Sequence, residues 1–337
     1  MKIDIYNHIL PRPYFDKTVE VAPRMKDMGK RVGSIPMLVD LDERFRVMDT
    51  FGDYCQILAI CTPFPEQIGS PEVSPVLARI ANDSMAELVQ RYPDRFPAFV
   101  AALPINNMDA TVAEIHRAVK TLGARGVQIK TNINGHPLDE PCFEPLFATM
   151  AEYNLPLWVH PARAVSMTDY ASESHSRYEI WWTFGYPYET SAFMARMVFS
   201  GMFDKYPNLK LITHHLGAMI PFFEGRVGPG CDQLGSRTSD EDYGQVLRSL
   251  KQRPLEYFKM FYADTATFGS RSAMRCGLDF FGAEHVLFGT DAPFDPEKGP
   301  GFIRETIRAL NELDVSAEVR ERIYWRNAAQ LLNLKLQ

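Results

Sequence analysis

Three things are scarce in this 337-residue chain, and each scarcity removes a class of function. Positive charge is in deficit: 36 Lys and Arg against 42 Asp and Glu leave a net charge of −6. With a pI near 5.8, there is no basic field to hold nucleic acid phosphates or an anionic membrane. Long apolar runs are missing, so nothing has the length of a membrane span. The opening residues, MKIDIYNH, lack the basic, apolar and small-residue succession of a signal peptide. Cysteine is sparse, and Cys55, Cys61, Cys142, Cys231 and Cys276 are odd in number, scattered and without CxxC spacing. That reads as reduced thiols in a cytoplasmic protein. No Gly-rich phosphate fingerprint follows the first strand-like run. No low-complexity tract, repeat or composition break divides the chain, so residues 1–337 are expected to form one domain.

What is present is an alternation. A hydrophobic content of 46% supports a sizeable core. Eight short runs have strand character: Lys2–Asn7, Tyr54–Thr62, Phe96–Leu103, Gly126–Lys130, Pro156–His160, Leu209–His214, Phe258–Asp264 and His285–Thr290. Between them, Val76–Tyr92, Asp109–Leu122, Phe143–Tyr153, Ser191–Phe203 and Gly301–Leu313 carry apolar residues at three-to-four spacing. Gly123 and Asn154 stand where helices should stop. The pattern predicts an α/β chain folded as a (β/α)8 TIM barrel, with a doubly wound open sheet as the alternative. A last helix, Ala317–Leu332, would close it. Long connections at 9–53 (β1–β2), 161–208 (β5–β6) and 216–257 (β6–β7) leave from strand C-terminal ends, where barrel enzymes build their sites. The aromatic stretch YEIWWTFGYPY (178–188) would line a pocket or pack as a lid or interface.

Of eight histidines, four lie at strand ends: His8, His160, His214 and His215. Asp291 ends the eighth strand, Lys130 the fourth, and Asp264 lies on the seventh. In an extended strand Tyr6 and His8 point to the same side. Neutral imidazole and carboxylate oxygen are the ligands of a zinc-type cation. After Gly217 the apolar spacing drifts toward a helix. His116, His136, His175 and His285 are expected on a helix surface, two loops and a strand entrance.

The motifs MKIDIYNHILP, NDSMAELVQRYPDRF, GVQIKTNINGHPLDEPCFEPLF, LPLWVHPA, FDKYPNLKLITHHLGAMIPFFEGR, FYADTA and VLFGTDAPF occur in this order over most of the chain. Together they resemble the amidohydrolase superfamily, in the branch of aminocarboxymuconate semialdehyde decarboxylase and the hydroxybenzoate-type decarboxylases. The resemblance implies that His8, His160 and Asp291 bind one divalent metal, Zn2+ foremost with Mn2+ as the alternative. It implies His215 as catalytic acid or base, with Asp291 relaying the proton. His215 is preferred over His214 because it stands six residues before Pro221, as the family's histidine stands before its proline. Arg226 would bind a substrate carboxylate, in some members across a homodimer interface, and Trp181, Trp182 and Phe294 would enclose the substrate.

One position departs from the family. Its first motif is usually His-x-His, and Tyr6 replaces the first histidine. The metal would then be held by three protein ligands or by Tyr6 as phenolate, or Tyr6 would contact substrate instead; a metal-free site is a further outcome. A modified Lys130 bridging two metals is the reading in other branches, and an exposed structural lysine is the expectation here. The expected function is a metal-dependent, non-oxidative decarboxylase of a small aromatic or unsaturated carboxylic acid. A hydrolase of a lactone, amide or carbon–carbon bond next to a carbonyl uses the same activated water. A catalytically silent binding barrel is the third reading.

Overall fold

In the computed structural model, residues 1–23 and 27–334 are described, leaving 24–26 of the first long connection outside. All eight expected strands form, shorter than their apolar runs: β1 (Lys2–Asp4), β2 (Tyr54–Leu58), β3 (Ala98–Phe99), β4 (Val127–Lys130), β5 (Leu157–His160), β6 (Leu211–Thr213), β7 (Tyr262–Asp264) and β8 (Val286–Leu287). The architecture is α/β with parallel sheets. One sheet has the order β1-β2-β3, the other β8-β7-β6-β5-β4, and every pair within them is parallel. Backbone bonds also cross both seams. Ala101 N donates to Gly126 O and Gln128 N to Ala101 O, while Ile5 N donates to Phe288 O and Thr290 N to Tyr6 O. Asp4 fastens the second seam, accepting from Tyr54 Oη at 2.6 Å, Thr290 Oγ1 at 2.5 Å and Thr290 N at 3.1 Å. A small antiparallel hairpin, Asn132–Ile133 against His136–Pro137, was not legible in the apolar pattern.

The strands read as nearly continuous apolar runs because both of their faces are buried. Side chains alternate between two clusters. Ile57, Trp158, Ile212 and Leu287 pack in a small cluster with Ile3, Ile5 and Ala98. Their neighbours Leu58, Leu157, Val159, Leu211 and Val286 face a large cluster shared with the helices. Period two in the strands thus meets period 3.6 in the helices.

The helices start and stop for local reasons. Asn107 caps Met108–Arg117, its side chain accepting from Ala110 N. Gly123 (φ 79°) and Asn154 (φ 54°) adopt the left-handed conformation that ends the preceding turns. Ser270 caps Arg271–Phe281, which buries Met274, Leu278 and Phe281 on one stripe. Two differences from expectation stand out. The final segment is helical without a break from Ala317 to Leu331, as expected, but its middle turn, Arg322–Arg326, widens to π geometry. The chain after β6 does not turn directly into a helix; it passes through a left-handed turn.

Candidate metal centre and active site

Three of the four strand-end histidines, His8, His160 and His214, are set by what holds their Nδ1. His8 follows β1, and Tyr6 and His8 both turn inward, their rings 5.8 Å apart. His8 N donates to Ala292 O at 2.8 Å, and its carbonyl accepts from the Arg44 guanidinium. Arg44 is wholly buried and also donates to Gln56 Oε1 at 2.6 Å. The Nδ1 atoms of His8 and His160 sit 3.3 Å from Ile60 O and 2.7 Å from Pro161 O. That of His214 sits 2.5 Å from Asp264 Oδ2. Engaging Nδ1 fixes the ring and leaves Nε2 to face the centre.

The turn after β6 is locally expensive. His215, Leu216, Gly217 and Ala218 have φ of 57°, 54°, 72° and 56°. A left-handed conformation costs about 1–2 kcal/mol at each non-glycine residue. Gly217 is required twice over, since a Cβ there would come within 2.5 Å of the Phe281 ring. Leu216 is seated over Gly277, where a Cβ would meet its side chain at 2.3 Å. Asp291 is left-handed as well, at 62°. Strain of this kind persists where surrounding packing over-determines it, commonly at functional sites.

The imidazoles of His8, His160 and His214 form a near-equilateral triangle, with centroids 5.4, 5.7 and 6.0 Å apart. Asp291 Oδ1 lies 3.0 Å from His8 Nε2 and 3.3 Å from His214 Nε2, and Oδ2 lies 3.7 Å from His215 Nε2. Among the described residues, two groups have ligand atoms mutually within 4.8 Å: His8, His160, His214 and His214, His215, Asp291. Despite these distances, His8 Nε2 and His214 Nε2 are buried without a hydrogen-bond partner. Buried polar atoms are rarely left so. Converging nitrogen donors beside a carboxylate fit a divalent cation, and the residues present fit the metal the family resemblance implies.

Burial, followed by the neighbouring His8 and His214, holds His160 well below the ordinary imidazole range. Burial and His214 lower His215 in the same way. Burial opposes charge on Asp291, but the surrounding imidazoles, His214 first, prevail and hold its carboxyl well below its usual value. Near neutrality the site therefore offers neutral His160 and His215 beside an ionised Asp291. Burial also opposes charge on His214, and Asp264 and Asp291 outweigh it, raising the group to about 9.

The cluster floors a cavity of about 1410 Å³. Its walls include Trp181, Trp182, Tyr186, Phe268, Phe294 and Phe302, and the Phe294 ring meets His8 edge-on at 5.3 Å. Trp182 and Phe294 are thus both on the cavity wall. Tyr6 is not. It is fully buried beneath His214, the two rings stacked at 3.7 Å and 7°, and its hydroxyl is unpartnered. Arg226 is exposed over Phe223, 5.7 Å from its ring, and is absent from the cavity wall. The cations that do line the cavity, among the described residues, are Lys30, Arg31 and Arg177. Arg31 is tied to the carbonyls of Phe294 and Asp295 at 2.7 and 2.8 Å.

Lys130 is not the exposed lysine expected. It is 3% exposed, 3.2 Å from the equally buried Glu66, with its ammonium 5.0 Å from the Phe64 ring. It belongs to neither ligand group. His175 lines the cavity from its loop, and His285 stacks on Tyr262 at the start of β8. Sequence reasoning gave no role to His214, Arg44 or Arg31. The adjacent pair His214-His215 was a signal for the first. A buried arginine and one supplied from a distant connection leave no local trace.

A family model described as amidohydrolase matches residues 57–334. A gamma-resorcylate decarboxylase of a Polaromonas species is 30% identical over 315 residues, 88% of this chain and 89% of that one. A 2-amino-3-carboxymuconate-6-semialdehyde decarboxylase of Dictyostelium discoideum is 27% identical, covering 99% and 92% of the two chains. Among solved structures, 5-carboxyvanillate decarboxylase of Novosphingobium aromaticivorans, complexed with manganese and 4-hydroxy-3-methoxy-5-nitrobenzoic acid, superposes with a TM-score of 0.84. It is 25% identical and covers 99% of this chain and 96% of that one. A dihydroxybenzoic acid decarboxylase of Polaromonas, with manganese and 2-nitroresorcinol bound, gives 0.80 at 26% identity, covering 100% and 98%.

Proposed function

Because the chain belongs to the amidohydrolase family, we propose that it is a metal-dependent decarboxylase. It removes carbon dioxide, without oxidation, from a small aromatic or conjugated unsaturated carboxylic acid. The observation that carries this reading is the convergence of His8, His160 and His214, with Asp291 and His215 against them, on the floor of an aromatic-walled cavity. The similar proteins reported above are decarboxylases of such acids. The backbone bonds across both seams support a single domain in which the eight strands close as a (β/α)8 barrel.

His8, His160 and Asp291 would hold a divalent cation. When bound, the cation would anchor substrate oxygens and acidify a water molecule. Imidazole donors suit zinc, and manganese is the ion in two similar structures. The remaining chemistry falls to the chain. Decarboxylation is easiest once the carbon bearing the carboxylate has been protonated and made tetrahedral. The carbon–carbon electrons can then return to the ring as carbon dioxide leaves. His215 is neutral, faces the cavity, and sits 3.7 Å from Asp291 Oδ2, so it can take a proton from a water molecule in the cavity and hand it to the substrate carbon, with Asp291 as relay. Trp182 and Phe294 would flank the ring and exclude water. Lys30, Arg31 and Arg177 are the cavity-wall cations available to a substrate carboxylate.

Arg226 could take that role only in a homodimer, reaching the cavity of a second copy. The exposed Tyr178, Phe184, Tyr188 and Phe222 are consistent with a covered face. Light scattering of the pure protein tests this, and a monomer at working concentration removes Arg226 from the site. The free cysteines support a cytoplasmic setting. Among the described residues no helix is long and apolar enough to cross a membrane.

Incubation with hydroxybenzoates and ring-cleavage acids, following released carbon dioxide and isotopic oxygen from labelled water, tests the function. Carbon dioxide release without oxygen incorporation is expected. Labelled oxygen in the product with no gas released would make the protein a hydrolase.

A further inference from the structure

We infer that His214, and not Tyr6, completes the cation site, so that the ion is held by His8, His160, His214 and Asp291. The inference rests on the metal-site reading above and assigns the position left open by Tyr6.

Four observations carry it. His214 is the one residue shared by the two groups of mutually close ligand atoms, so a common centre for His8, His160 and Asp291 must lie against it. Its ring makes the third corner of the imidazole triangle, equivalent to the other two within 0.6 Å of centroid spacing (5.4 to 6.0 Å). Its Nε2 is buried with no hydrogen-bond partner, as is that of His8. A tetrahedral ion with metal–nitrogen distances near 2.0–2.1 Å keeps its ligand atoms about 3.4 Å apart. The 3.0 and 3.3 Å separating Asp291 Oδ1 from His8 and His214 Nε2 match that spacing.

The far side of His214 is built as a ligand's support. Asp264 Oδ2 lies 2.5 Å from Nδ1, while its Oδ1 accepts from the backbone N–H of His215 at 3.1 Å and of Ala266 at 2.8 Å. A carboxylate behind a histidine orients the ring and raises its basicity toward a metal. Tyr6 lies flat on the His214 ring at 3.7 Å and His215 on the other face at 3.8 Å. The tyrosine is thus a platform that fixes the plane of the imidazole. His215 is assigned outside the ligand set because it is absent from the group that joins His8 and His160, and its Nε2 lies 3.7 Å from Asp291 against 3.0 and 3.3 Å for His8 and His214.

The test is metal binding, independent of any substrate. Wild-type protein and His214→Ala, His214→Gln, Tyr6→Phe, His215→Ala and His8→Ala variants are stripped, reloaded with Zn2+ or Co2+, dialysed and measured by elemental analysis. Circular dichroism reports folding. Affinity should fall by at least about 100-fold in the His8 and both His214 variants, and stay near wild type in Tyr6→Phe and His215→Ala. The visible absorption of the Co2+ form should change in His214→Gln and persist in Tyr6→Phe. Metal retained in folded His214→Gln but lost in His8→Ala overturns this inference and leaves the metal-site reading intact. Loss of metal in Tyr6→Phe overturns it as well. Failure of the wild type to bind either ion overturns the metal-site reading itself.

Discussion

Two buried polar clusters sit at strand C-terminal ends, and they differ in one respect. Lys130, at the end of β4, faces Glu66 at 3.2 Å, so opposite charges answer each other. At the ends of β1, β5, β6 and β8, by contrast, several imidazoles crowd one carboxylate: Asp291 Oδ1 lies 3.0 and 3.3 Å from the Nε2 atoms of His8 and His214, with neither in hydrogen-bond geometry, while the rings of His8, His160 and His214 are anchored from behind. Burying a charged pair is at best neutral for stability. Burying more converging nitrogens than one carboxylate can accept from is costly unless something binds there. The difference teaches that burial alone does not mark a site. What marks it is the number of ligand-type atoms that converge on one point.

The sharpest way to break the comparison is at Asp291. Asp291→Ala, like His160→Ala, should abolish metal binding and carbon dioxide release while the circular dichroism spectrum is kept. Full metal content in either variant would remove that residue from the ligand set. Next comes His215→Ala, which should keep its metal yet lose turnover by about 10²- to 10⁴-fold, the range for a lost general acid or base. An unchanged rate would leave the proton transfer to another group.

At the paired cluster the effect should appear in stability. Lys130→Ala leaves Glu66 buried and unpaired and should cost about 3–5 kcal/mol in denaturant unfolding, with Lys130→Met/Glu66→Leu recovering most of it. A loss of metal in Lys130→Ala without a stability change would join the two clusters into one.

The smallest effect concerns the second seam. Burial pushes Asp4 up to about 7 against the hydrogen bonds from Thr290 and Tyr54. A folded-state value above the unfolded one favours the protonated fold. That contribution is complete below about 4 and is lost as pH rises through about 7. Asp4→Asn should flatten the fall in stability between those limits, by at most about 4 kcal/mol. An unaltered pH profile would mean that Asp4 titrates at its ordinary value.

Much of the framework was legible in local pattern. All eight strands appear because each is an apolar run bounded by turn residues, and their ends were overestimated because apolar side chains continue past the last ladder bond. Gly123 and Asn154 end helices through their own backbone freedom, a property a sequence carries openly. His8, His160 and Asp291 stood out as chemistry-bearing residues at strand ends. The left-handed turn at His215–Ala218 was hidden, because it depends on Phe281 and Gly277 packing against it from elsewhere. Arg44 was hidden too: its partners, Gln56 and the carbonyl of His8, are 12 and 36 residues away.

The sequence by itself determined the alternation of strands and helices and the presence of ligand-type side chains at strand ends. Periodicity and residue chemistry are local properties. Only the tertiary structure decided that His214 meets His8 and His160, that Tyr6 lies beneath it, and that Arg226 faces away. Those outcomes depend on the register and curvature of strands distant in sequence. A ligand triangle is a relation between residues 8, 160 and 214, and no window of the chain contains it.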